Sequence, residues 1–235
     1  MIKKNKKRLK FLIVFSLVVT LGIGVTLALL KDITETKKNT FSSNKKIALL
    51  LREPSWDGYE FTDKSTTNGQ SAKPGLTEEE RNKLGVEKAA RYVPGEDIPK
   101  NPQVKNNGDA DSGIPVYAAI KVQFMDETDT QVTYQQFMSR YLDSAGISFD
   151  TAHWEEIETQ NADKLFIYRD ILQPGEDTAE HPLFTEVPIS LELLPDGKTG
   201  LLPGFNITIT AYAIQSDYVE DPKGEMLKFI NGITE

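Results

Sequence analysis

The side chains best suited to chemistry are few. The 235-residue chain has two histidines, His153 and His181, and no cysteine. That excludes disulfides, thiolate metal sites, cysteine nucleophiles and any three-histidine metal site within one chain. His153-Trp154-Glu155-Glu156 offers one imidazole and two acids. Strand alternation puts Glu155 on the side of His153 and Glu156 opposite. A zinc site there needs another ligand, and only His181 remains, so the expectation is a strand histidine and a loop histidine with no metal between them. Asp109-Ala110-Asp111-Ser112-Gly113 is a fragment of a calcium loop, which makes Asp109 and Asp111 calcium candidates against the alternative of a solvated turn. The bidentate glutamate that such a loop needs six positions after its glycine is replaced by Ala119. Neither Gly-x-Ser-x-Gly nor His-Glu-x-x-His occurs, so no catalytic residue is expected.

Charge divides the chain. Residues 1–28 hold six cations (Lys3, Lys4, Lys6, Lys7, Arg8, Lys10) and no acid. Without those six, 21 cations face 35 acids, a net charge of −14 against −8 for the whole. A body that acidic repels nucleic acid and anionic membrane surfaces. The basic start runs into an apolar stretch, Phe11 to Leu30, with small residues near its end. This is the order of a secretory signal peptide, with Thr26-x-Ala28 as the cleavage pattern and Leu29 as the new first residue. The same stretch is long enough for a retained membrane anchor; the break at Gly22 and Gly24 favours cleavage. In either case residues after Lys31 lie outside the cell.

The rest, about 200 residues, is sized for one domain. Three segments alternate with period two: Val116, Ala118, Ile120, Val122, Phe124; Val187, Ile189, Leu191, Leu193; and Phe205, Ile207, Ile209, Ala211, Ala213. Such rows predict half-buried strands, the last two joined as a hairpin through Pro195-Asp196-Gly197 and Pro203-Gly204. Shorter strands are predicted at 46–51, 103–105, 153–157 and 165–172, separated by Pro94-Gly95, Asn107-Gly108 and Pro174-Gly175. Two capping boxes, Thr77/Glu80 and Thr133/Gln136, start helices. The first ends at Leu84-Gly85; the second carries a stripe of Tyr134, Phe137, Met138, Tyr141 and Leu142 that should dock on the sheets. The fold class expected is mainly β: an antiparallel two-sheet β-sandwich, jelly-roll-like, with one or two short helices, preceded by an N-terminal signal or transmembrane helix. The divisions expected are a signal peptide over 1–28, a sandwich over 29–218 with a loop-like insertion near 58–90, and a tail over 219–235.

A resemblance covers nearly the whole chain. Ala28-Leu29-Leu30-Lys31-Asp32-Ile33-Thr34-Glu35, with Asn39-Thr40-Phe41, is similar to the export segment processed by the dedicated signal peptidase SipW in Gram-positive bacteria. Glu53-Pro54-Ser55-Trp56-Asp57, the run from Tyr92 through Pro94-Gly95 to Asn106-Asn107-Gly108, Leu172-Gln173-Pro174-Gly175-Glu176 and Ala211-Tyr212-Ala213-Ile214-Gln215 follow in order. Together they resemble the TasA/camelysin family. The resemblance implies export to the cell surface or biofilm matrix, SipW as a partner during export, and self-association into fibres or with sister matrix subunits. The fibre reading makes Ile47, Leu49 and Leu51, within the segment 29–51, candidates for a strand donated to a neighbour's sheet edge. The alternatives are a camelysin-like surface metalloprotease, which the sequence supports with no ligand set, and a surface adhesin or accessory binding module.

Overall fold

The structure, a computed structural model, describes residues 45–232. Among them the chain forms nine strands and five short helices. In order these are β1 (Leu49–Arg52), α1 (Pro54–Asp57), α2 (Glu78–Arg81), α3 (Gly85–Ala89), β2 (Asp97–Pro99), β3 (Gln103–Asn106), β4 (Val116–Met125) and β5 (Gln131–Val132). Then come α4 (Tyr134–Tyr141), β6 (Trp154–Ile157), β7 (Lys164–Tyr168), β8 (Glu186–Pro188), β9 (Asn206–Gln215) and α5 (Pro222–Gly232). The fold is mainly β, its ladders antiparallel and not closed into a barrel. The proposed signal segment, with Ala28 and Leu29, lies outside the described residues. No helix among the described residues is long and apolar enough to cross a membrane.

β4 is the spine. It pairs along its whole length with β9, from Val116↔Gln215 to Met125↔Asn206, and on its other side with β7 and β5; β6 follows β7. β1 pairs β3 and β2 pairs β8 as separate two-stranded sheets. The even row of β4, Val116 to Phe124, is buried with Ile98 of β2, Val104 of β3, Val187 of β8 and Phe137 and Tyr141 of α4. α4 starts at the expected capping box, Thr133 Oγ1 accepting from Gln136 N and the Gln136 side chain from Thr133 N, and its stripe packs on this core. The opposite sheet face, with Ala119, Leu165 and Ile167, is covered by Met226 and Ile230 of α5. The C-terminal segment, a tail with a weakly helical stretch over 225–230 in its sequence, holds α5, docked on the sheet. Asp221 caps it, Pro222 takes its first position, and its apolar side closes a sheet face that water would otherwise reach.

Three expectations are corrected. The row at 187–193 is not a long strand: β8 ends at Pro188, and Leu191 is 77% exposed. Proline has no N–H for a ladder, and the chain turns after Ile189. β8 and β9 form no hairpin, since β8 pairs β2 while β9 pairs β4. Gly85 does not end the first helix; it opens α3. A Cβ there would lie 1.9 Å from the Pro99 carbonyl oxygen, so glycine permits a close backbone approach rather than a cap.

Candidate functional site

The first candidate is built around the histidines. Asp150 turns the chain into β6: its Oδ1 accepts from the backbone N–H groups of Ala152 and His153, and its backbone N–H donates to Leu183 O at 2.8 Å. Its Oδ2 then lies 2.8 Å from His153 Nδ1. Trp154 is fully buried, and its indole Nε1 donates to His181 O at 2.9 Å. His181 N–H donates to Thr178 O, and Leu183 N–H to Pro102 O. These ties hold the 178–184 loop against the start of β6, so that the two imidazoles stack with centroids 3.6 Å apart and planes within 13°. One ligand atom from each of Asp150, His153 and His181 lies within 4.8 Å of the others, and each residue is half-buried and reachable by solvent.

The electrostatics suit a cation. Burial pushes the Asp150 carboxyl up, but hydrogen bonds from the His153 ring and backbone outweigh it and hold the group below its ordinary value, so it is ionised at neutral pH. The nearby Tyr168 hydroxyl is pushed up by burial and by the charges of Asp170, Asp150, Glu176 and Glu180, a sign of the negative field on this side. The set matches the two-nitrogen, one-oxygen donor group of open zinc sites. Sequence reasoning left the histidines apart and passed over Asp150. Its signal was the Asp150-Thr151-Ala152-His153 spacing, in which an Asx turn brings residue i against residue i+3.

The other expected positions fall elsewhere. Asp109 Oδ2 lies 3.7 Å from Lys46 Nζ and accepts from Ser112 Oγ, and the Asp111 carbonyl accepts from Lys45 Nζ. Lysines stand beside these aspartates, and among the described residues they join no three-ligand group. Leu49 and Leu51 sit in β1, paired within the chain to Asn106 and Val104 and packed on the core; Ile47 precedes them, exposed.

The second candidate is a groove of 910 Å³ between β1 and the start of β9, lined by Trp56, Tyr92, Lys100, Phe205, Ile207 and Ile209 among others. Its floor is charged but paired. Lys100 Nζ donates to Glu53 Oε2 at 2.9 Å, has Oε1 at 2.8 Å outside hydrogen-bonding geometry, and stands 4.6 Å over the Trp56 ring. Asp57 beside it is pushed above its ordinary value, burial being the main cause. One wall is the edge of β9 that pairs with no strand among the described residues. Val116 N–H and O exchange bonds with Leu172, and Pro115 O accepts from Ser216 N–H, so even residues of β4 point toward β7 and odd ones toward β9. With the register Lys121↔Thr210, the even residues of β9 bond β4. The N–H and C=O groups of Ile207, Ile209, Ala211 and Ala213 therefore point outward.

No family model, no curated protein and no solved structure matches the chain.

Proposed function

We propose that the chain is an exported cell-surface or matrix structural protein, a fibre-forming or fibre-associated subunit that assembles by strand addition on a jelly-roll-like sandwich. The observation that carries this reading is the ten-residue edge of β9, which among the described residues pairs β4 alone and borders a groove. An unpaired edge of that length is a template for another strand unless charge or proline blunts it. The outward-pointing residues are Ile207, Ile209, Ala211 and Ala213, none charged. The proposed donor is the segment 29–44 of a second copy, upstream of β1, since Leu49 and Leu51 already have a partner in their own chain. Main-chain bonds give the affinity and alternate side chains the register.

Electron microscopy of the purified exported protein, at neutral and acid pH, tests this. Filaments are expected from the wild type. Ala211→Pro removes an outward N–H while leaving the β4 ladder intact, and should keep the circular dichroism spectrum but lose the filaments. Wild-type monomers under all conditions, or filaments from a folded Ala211→Pro protein, would overturn the reading.

The group of Asp150, His153 and His181 favours a second reading, a camelysin-like surface metalloprotease. It requires casein hydrolysis that a chelator and His153→Ala each abolish. Hydrolysis unchanged in His153→Ala and His181→Ala retires it.

A further inference from the structure

We propose that Asp150, His153 and His181 bind one divalent transition-metal ion of the zinc class, and that the ion acts as a staple between the start of β6 and the 178–184 loop. Three features converge on this. The ligand atoms are already gathered within 4.8 Å. They come from two segments far apart in sequence, each fixed by backbone bonds or by the buried Trp154 rather than by the metal. The donor types are also those of a zinc-class site: one carboxylate beside two imidazoles. Neutral imidazole is the form that ligates.

The ion inserts between His153 Nδ1 and Asp150 Oδ2, which lie 2.8 Å apart and must part to about 3.3 Å, the ligand-to-ligand spacing around a tetrahedral ion with bonds of about 2.0 Å. The neutral His153 ring then carries its single proton on Nε2, and His181, tilting out of the stack, supplies the third bond through a ring nitrogen. Two nitrogens and one oxygen suit zinc, copper or nickel and disfavour calcium and magnesium, which take oxygen sets. The fourth position is left to water. The staple needs no hydrolytic step, so it stands whether or not the chain cleaves peptides.

Zinc titration of the purified full-length chain by calorimetry reads the affinity and the number of ions bound. One ion per chain is expected, along with a higher melting temperature in zinc than in calcium. His153→Ala and His181→Ala should each weaken zinc binding at least about 10-fold and abolish the zinc-dependent rise in melting temperature, while leaving the metal-free circular dichroism spectrum unchanged. Asp150→Asn should weaken binding too. Should Asp150→Asn disturb the turn, Thr151→Ala, which touches none of the ligand atoms, serves as the control that must bind normally. Zinc affinity unchanged in both histidine variants, or binding only as many weak equivalents spread over the 35 acids, would overturn the site.

Discussion

At the scale of single residues, Asn106 shows what a loop motif is for. Its side chain is fully buried; Nδ2 donates to Ile114 O and Leu172 O, each at 2.9 Å, and Oδ1 accepts from Gly108 N–H. Its backbone bonds Glu176 and Gly175 as well. One amide thus joins β3, the chain entering β4 and the Pro174-Gly175 turn. Asn106→Ala strands three backbone partners, one buried and two half-buried, and should cost roughly 3 kcal/mol in urea unfolding. Asn106→Asp, with acceptors facing two carbonyls, should cost more. The sequence marks a turn at Asn106-Asn107-Gly108 but not the two distant carbonyls, because those partners are set by tertiary packing. Asp57 gives a prediction with a sign. Its folded pKa lies above the ordinary 3.8, so the folded state holds that proton more tightly than the unfolded chain does. The associated stability is fully present below the unfolded value and is lost as pH rises through the folded one. Asp57→Asn should therefore gain on the wild type as pH rises across that window, as read by denaturation midpoints at each pH.

At the scale of elements, local signals proved readable where the chain dictates its own geometry. The capping boxes at Thr77 and Thr133 and the five-residue row of β4 depend on neighbours in sequence, and each stands where the pattern put it. What the pattern missed depends on partners elsewhere. Leu191 continues an apolar alternation, but Pro188 ends β8 and the chain leaves the sheet. Met226 and Ile230 lie one helical turn apart in a short, weakly patterned segment, and only the bare sheet face over Ala119 and Ile167 makes that spacing matter. Asp150, His153 and His181 are likewise brought together by the Trp154 bond to a loop 27 residues on, which no spacing rule reports. Met226→Ala should destabilise by about 2–5 kcal/mol in thermal or urea unfolding, as cavity-forming core substitutions do. Gly85→Ala must push Pro99 and the Trp56 ring aside and should cost about 1–3 kcal/mol, with quenching or a shift of tryptophan emission reporting the movement.

At the scale of the whole molecule, the acidic charge sets the conditions for association. Copies of a body with net charge −14 repel one another at neutral pH. On the strand-addition reading, raised salt screens that repulsion and acid neutralises it, so sedimentation velocity should show larger species as either is applied. A folded protein that stays monomeric through both titrations would detach the β9 edge from any role in assembly.

The longest ladder among the described residues joins β4 to β9, and α5 seals the sheet they share. The central strand therefore waits for the final stretch of polypeptide before its backbone is matched and its second face dried. Such long-range closure is slow to form. A chain synthesised N-terminus first can pair β4 with β5 and β7 as they appear, but one edge and one face of that strand stay open until β9 and α5 have been made.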